Sequence, residues 1–283
     1  MTDKMKNLIV RTLTGMVFVA VLVGAIVYHP STFGFLFAII TALSVREFCT
    51  VVNQREDVQI NSLICTVSGV YLFLAFFGFC SNLTPSSVFI PYLLSIIYLL
   101  VSELYLKRPN PINNWAYTMM SQMYVALPFA LLNILAFQSN TNSEYSISYI
   151  GIIPLSVFIF LWSSDSGAYC FGSMLGRRKL FPSISPNKSW EGSIGGGITA
   201  LVVSVIIAQF SSALSLVEWM GLALTVVVFG TWGDLVESLL KRKLGIKDSG
   251  HILPGHGGML DRFDSAMLAI PAVCIYLYTI TLW

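Results

Sequence analysis

Residues 222–244 read LALTVVVFGTWGDLVESLLKRKL, an apolar run that turns into a strongly charged sequence. The apolar part is typical of a helix that crosses a membrane, and Gly245 is a suitable residue to end that helix. The polar side chains at 234, 237, 238 and 241 recur every three or four residues, so they share one helix face. A carboxylate that directly follows an apolar run is costly to bury, so Asp234 is a candidate functional residue.

The rest of the chain has the same apolar character. Of its 283 residues 55% are hydrophobic and 11% are charged, whereas about 25% are charged in an ordinary soluble domain. We therefore predict an all-α polytopic integral membrane protein with about nine transmembrane helices. The predicted spans are 12–28, 32–48, 60–80, 88–105, 116–137, 149–175, 192–210, 217–240 and 265–282.

The basic residues test this helix count. With nine spans whose ends are approximate, all sixteen Lys and Arg fall at the N-terminus, in the loops after helices 2, 4, 6 and 8, or, for Arg46, at the end of helix 2 that adjoins such a loop. The opposite loops contain none, so the pattern obeys the positive-inside rule. The N-terminus is therefore expected in the cytoplasm and the C-terminus outside. The five cysteines are scattered and form no CxxC pair, which predicts neither a zinc site nor a disulfide framework.

The domain organisation follows from the same spans. Residues 1–283 are expected to form a single membrane domain, without a long soluble insertion. Within it, residues 1–150 hold helices 1–5, expected to be a lipid-facing scaffold. Residues 151–283 hold helices 6–9 and most of the unusual polar residues.

Two further polar stretches lie near the predicted cytoplasmic surface. Asp165 interrupts an apolar run, with Tyr169 one turn later and a stripe of small residues that favours close helix packing. In the next loop, Ser185-Pro186 is typical of a helix start, where free N–H groups would favour an anion beside Lys188.

The loop before the last helix contains GHGGMLDRFD, residues 255–264. Its glycines, including Gly257 and Gly258, allow a sharp turn and close approach of a ligand. His251 and His256 are interpreted as organising the backbone or contacting phosphate. For Asp264 a simple helix N-cap is an open alternative, with Ser265 as its rival.

Taken together, these residues favour phosphoryl or nucleotidyl transfer. Carboxylates are hard ligands suited to Mg²⁺, and they occur at positions 165, 234, 261 and 264. Basic side chains suited to phosphate occur at 188, 241, 242, 247 and 262. Metal ions and fixed positive charge stabilise the transition state of such reactions. The P-loop and the Rossmann glycine pattern are both absent, and no nucleic-acid partner is expected.

Residues 238–264 read SLLKRKLGIKDSGHILPGHGGMLDRFD, and over these 27 positions the chain resembles, without a gap, the signature of the phosphatidate cytidylyltransferase (CDP-diacylglycerol synthase) family. Residues 165–172 and SPNKSWEG at 185–192 agree with the same family. The family more often has Lys where this chain has Asn187, and Thr where it has Ser189, which puts a phosphate role for position 187 in doubt.

The resemblance implies a reaction of CTP with phosphatidic acid that gives CDP-diacylglycerol and pyrophosphate, in phospholipid biosynthesis. It implies Mg²⁺ at Asp234 and Asp261, with a second cation such as K⁺, and a homodimer in the plasma (inner) membrane. The implied catalytic residues are Lys188, Asp234, Asp261, Arg262 and Asp264. The implied substrate-binding residues are Asp165, Tyr169, Ser185, Lys241, Arg242, Lys247, His256, Gly257 and Gly258.

Two other functions fit parts of the pattern. A CTP-dependent lipid kinase would use similar groups but transfer the γ-phosphoryl to a hydroxyl. An ion-coupled transporter would use Asp165 and Asp234 as cation sites within the membrane. The transporter leaves the clustered polar loops unexplained, and labelled CTP would distinguish the kinase.

Overall fold

A computed structural model describes residues 3–139, 147–250, 252 and 257–281 of the chain. The described residues form helices linked by short loops and two small antiparallel hairpins. They separate into two compact units. The first unit contains the residues up to Gly151 together with Ile246–Phe263, and the second contains Ile152–Gly245 together with the residues from Asp264 onward.

The first unit is built from helices and one short hairpin. Its helices are α1 (Asp3–Tyr28), α2 (Pro30–Val52), α3 (Ser62–Cys80), α4 (Ile90–Leu106), α5 (Pro111–Met120) and α6 (Leu127–Ala136). Strands β1 (Phe137–Ser139) and β2 (Ile147–Tyr149) pair in an antiparallel hairpin. A π-helical turn, Ser121–Ala126, joins α5 to α6 within one apolar span. Pro128 lacks an N–H and its ring clashes with the carbonyl four residues earlier, which accounts for the wider turn.

The second unit contains four long helices. They are α7 (Ile152–Leu175), α8 (Trp190–Phe210), α9 (Leu216–Lys243) and most of α10 (Leu260–Thr281). Strands β3 (Lys179–Phe181) and β4 (Ser185–Ser189) form a hairpin between α7 and α8. Residues 246–263 of the family signature belong to the first unit, whereas residues 238–245 and Asp264 belong to the second.

The predicted class of an all-α protein with many long apolar helices is confirmed, whereas the orientation of the termini stays a prediction. Eight helices of the described chain are long and apolar enough to cross a bilayer, and Thr12–Tyr28 is a shorter apolar helix. Each of the nine predicted segments coincides with one of these helices. The two hairpins are additions that the apolar pattern did not indicate.

Two predicted helix starts differ from the structure. Ser185-Pro186 was expected to begin a helix, but Ser185–Ser189 is a strand and α8 begins at Trp190. Ser189 is the N-cap, and its side chain accepts a hydrogen bond from Gly192 N at 3.1 Å. The last helix begins at Leu260 rather than 265, so Asp264 lies inside it and is not its N-cap.

Small residues bring α7 and α8 together. A Cβ at Gly192 would lie 2.9 Å from the Ala168 carbonyl oxygen, and one at Gly196 would lie 2.6 Å from that of Ser164. Backbones can approach this closely only where side chains are small. The stripe predicted from the sequence therefore does pack as a helix interface.

Candidate active site

A cavity of about 770 Å³, including its open mouth, lies in the second unit. It is lined by α7, by the end of β4 and by residues of α8, α9 and α10. Polar side chains include Asp165, Tyr169, Asn187, Lys188 and Thr231, whereas Leu161 and Val227 contribute apolar surface. The structure thus brings Asp165, Tyr169 and Lys188 to one cavity, and their role in binding substrate or in catalysis stays a prediction. Ser185 does not line it, because the strand places Asn187 and Lys188 there instead.

Lys188 forms an ion pair with Asp234. The two side chains are about a quarter exposed, at 26% and 28%. Ser238 donates a hydrogen bond from Oγ to Asp234 Oδ1 at 3.1 Å, one helical turn away. The polar face predicted on the eighth span is therefore present on α9, and it meets Lys188 of strand β4.

A second ion pair lies one turn along the same face. Lys241 Nζ is 2.7 Å from Glu237 Oε2, and the Glu237 side chain is fully buried. The sequence predicted Lys241 as a phosphate ligand, and in the structure it also neutralises a buried carboxylate. Asp264 lies close enough to Asp234, Glu237 and Lys241 to interact with them electrostatically.

Close packing of α9 on α10 places these groups side by side. A Cβ at Gly233 would lie 2.7 Å from the Asp264 carbonyl oxygen. The resulting cluster has three carboxylates, from Asp234, Glu237 and Asp264, and two ammonium groups, from Lys188 and Lys241.

Asp261 belongs to the first unit and is 8% exposed. Its Oδ2 accepts hydrogen bonds from Gly258 N at 2.8 Å and from Ser249 N at 2.9 Å. Gly257 takes a positive φ of 83°, which a residue with a side chain rarely adopts. The carboxylate predicted to hold metal therefore also organises the turn that leads into α10.

The other predicted phosphate ligands are accessible. Arg242, Lys247 and Arg262 are exposed, and none forms an ion pair within the part of the chain described. His256 lies outside the described residues. Across the described ranges, no group of three or more His, Cys, Asp or Glu side chains is arranged to hold a metal ion.

Glu47, on α2, was missed by the sequence interpretation. It is 6% exposed, and it accepts hydrogen bonds from Ser249 Oγ and Met259 N, each at 2.6 Å. The sequence did contain a signal, because Glu47 stands in the apolar run FLFAIITALSVREFCTVV, where a charge is costly. The sequence could not identify the hydrogen-bond donors of Glu47, because Ser249 and Met259 lie about two hundred residues away along the chain.

Comparison with known proteins gives a consistent result. A sequence profile described as the cytidylyltransferase family matches residues 9–280. A protein of Haemophilus influenzae named phosphatidate cytidylyltransferase is 33% identical over 278 residues, which cover 92% of this chain and 95% of that protein. A protein of the same name from Staphylococcus saprophyticus is 37% identical over 214 residues, covering 68% of this chain and 80% of that protein.

Proposed function

Because the chain belongs to the cytidylyltransferase family, we propose that it is a membrane-embedded phosphatidate cytidylyltransferase. It converts CTP and phosphatidic acid to CDP-diacylglycerol and pyrophosphate, as part of phospholipid biosynthesis. The observation that carries the proposal is the similarity to a protein of that name over 95% of that protein's length. The transporter and the lipid kinase have no comparable support.

The cavity of the second unit suits a substrate with a charged head and an apolar body. Lys188 at its wall supplies positive charge for phosphate oxygens, and Leu161 and Val227 supply apolar surface. Exposed Arg242, Lys247 and Arg262 are available to the triphosphate. The basic residues named here lie in or beside the basic loops. We place these loops on the cytoplasmic side, where the water-soluble substrate CTP is available.

The reaction is a substitution at the α-phosphorus of CTP. A phosphate oxygen of phosphatidic acid forms the new P–O bond, and the bond to the bridging oxygen between the α- and β-phosphates breaks. Pyrophosphate leaves with the electron pair of that bond. No general base is required, because a phosphomonoester with a second pKa of about 6 is already largely ionised at neutral pH. Lys188 can move from Asp234 to phosphate and stabilise the charge that develops there.

The donor chemistry fits Mg²⁺. This ion keeps several waters and needs only one or two protein carboxylates besides substrate phosphates, so a three-residue cluster is not required. Asp234 and Asp261 are the proposed ligands of Mg²⁺. Asp264 is a carboxylate near Asp234 that could assist in holding the metal. K⁺ is a candidate for a second cation. When bound, Mg²⁺ would neutralise part of the negative charge on the substrate phosphates. The expected homodimer remains a prediction.

The test is an assay of the purified protein in lipid–detergent micelles with phosphatidic acid, Mg²⁺ and CTP labelled in the cytosine ring. Cytidylyl transfer moves the label into the lipid phase and releases one pyrophosphate per lipid product. A kinase would leave the ring label in solution and transfer only the γ-phosphate. Absence of ring label in lipid, with folded protein and all components present, refutes the proposal.

A further inference from the structure

Glu47 is a buried carboxylate to which the proposed reaction gives no role. It lies on α2 next to Val45, Phe48 and Cys49, whose side chains are almost completely buried. Burying a charge without partners at such a position is costly. The reason for a carboxylate must therefore lie in the groups that it contacts.

Its hydrogen-bond donors come from the segment Ile246–Phe263, called here the signature segment. Ser249 Oγ donates to Oε1 at 2.6 Å, and Met259 N and Leu260 N donate to Oε2 at 2.6 and 3.3 Å. Leu260 is the first residue of α10, so Glu47 caps the N-terminus of that helix from a distant part of the chain. A negative charge at that end is also favoured by the helix dipole.

The same contacts fix Asp261. Ser249 donates its hydroxyl to Glu47 and its backbone N–H to Asp261, so one residue links the two carboxylates. Glycines leave the space that this arrangement needs, since a Cβ at Gly250 or at Gly258 would overlap the Glu47 carboxylate. A carboxylate suits position 47 because both of its oxygens accept hydrogen bonds, whereas a glutamine amide offers only one acceptor atom.

The end of the signature segment has a second attachment to the first unit. Phe263 is buried, with its ring centroid 5.2 Å from Phe129 and 6.5 Å from Phe37. This apolar contact anchors the end of the segment but leaves the backbone at 249 and 258–260 without acceptors. Glu47 and Asp261 supply those acceptors.

We propose that Glu47 is a positioning residue for nucleotide binding. It holds the described residues 246–250 and 257–263 of the signature segment in the conformation that presents Lys247, Asp261 and Arg262 to the triphosphate of CTP, without touching the substrate itself. The inference rests on the proposed function, because it takes the signature segment to be the nucleotide site. It predicts that loss of the carboxylate weakens CTP binding selectively.

The experiment compares Glu47→Gln with Glu103→Gln. Glu103 is a matched control: it is a buried carboxylate of α4 in the same unit, 7% exposed, and its hydrogen bonds go to Arg108 and Asn114 rather than to the signature segment. For Glu47→Gln we expect the KM for CTP to rise about tenfold, equal to about 1.4 kcal/mol. The KM for phosphatidic acid should change less than about twofold. For Glu103→Gln both KM values should stay within about twofold of wild type, whatever happens to its thermal stability.

A second measurement does not depend on turnover. Hydrogen–deuterium exchange of peptides covering 257–262 should be about tenfold faster in Glu47→Gln than in wild type, and unchanged in Glu103→Gln. If wild type shows no cytidylyl transfer, the proposed function fails, while the exchange comparison still tests the ordering of the segment. An unchanged KM for CTP in Glu47→Gln, or an equal rise in Glu103→Gln, overturns the inference.

Ser249→Ala decides the question if Glu47→Gln does not fold. It removes one hydroxyl that donates to Glu47 and leaves the carboxylate and its two backbone donors in place. A rise of about threefold in the KM for CTP, with the KM for phosphatidic acid unchanged, supports the positioning role. No change in the KM for CTP argues that the contact is structural only.

Discussion

Replacement of Lys241 by Met should destabilise the protein because it removes the ammonium group that is paired with a buried carboxylate. Glu237 is fully buried and its carboxylate lies 2.7 Å from Lys241 Nζ, while the Lys241 side chain is only 15% exposed. Removing one partner of a buried ion pair typically costs about 3–5 kcal/mol, whereas replacing both by neutral residues is often close to neutral. Lys241→Met should therefore be much less stable than the double variant Glu237→Gln/Lys241→Met.

Thermal unfolding in detergent measures the difference. A loss of about 3 kcal/mol corresponds to a fall in Tm of roughly 6–12 °C, from the relation that holds for chains of about 150–250 residues, which are slightly shorter than this one. Lys243→Met is the matched control, since Lys243 is exposed on the same helix and forms no ion pair within the described part of the chain. Its Tm should stay within about 2 °C of wild type, because isolated surface charges contribute little.

The double variant also separates stability from catalysis. If Lys241 binds phosphate in addition to neutralising Glu237, then Glu237→Gln/Lys241→Met should recover most of the Tm but not the turnover. Full recovery of both would show that Lys241 has no role in catalysis. The reasoning about the ion pair itself is refuted if Lys241→Met unfolds within about 2 °C of wild type, or if the double variant is no more stable than the single one.

Three further outcomes follow from the site and the helix packing. Asp234→Asn should lower kcat/KM at least about 100-fold, because losing a direct metal ligand should cost at least as much as losing an outer-shell partner, which costs up to about 100-fold. Its Tm should be nearly unchanged, and activity comparable to wild type in a steady-state assay would exclude a metal role. Removal of divalent cations with EDTA should abolish turnover, and added Mg²⁺ should restore it in a titration, whereas activity that persists in EDTA would contradict the Mg²⁺ proposal. Gly196→Ala should lower stability by about 1–3 kcal/mol through overpacking against the Ser164 carbonyl, whereas Gly197→Ala should not, since a Cβ there meets only Val227 at 3.9 Å. Equal Tm values for the two alanine variants would show that the α7–α8 interface can relax.

Local patterns were sufficient to predict the helices and much of the second unit's polar face. Apolar segments of about 20 residues define spans, and helical spacing places Asp234, Ser238 and Lys241 on one side of α9. Both signals depend only on residues near one another in sequence. The same is true of the small-residue stripe on α7.

The errors have a common cause in contacts that cross the sequence. Ser185-Pro186 has the local chemistry of a helix start, but pairing with β3 makes it a strand, and in a two-stranded hairpin Pro186 can be tolerated at an edge. The start of α10 was placed five residues too late because its cap comes from Glu47 on another helix. A residue that acts through partners two hundred positions away leaves only an unexplained charge as its local signal.

The space that Glu47 occupies also constrains how this sequence can diverge. Position 258 can carry a side chain only if the carboxylate at 47 is shortened, removed or displaced, and the same holds for position 250. Substitutions at these three positions are therefore expected to be accepted jointly rather than singly. A chimaera that joins the N-terminal helices of one homologue to the C-terminal loop of another should function only when both parents have the same residues at positions 47, 250 and 258.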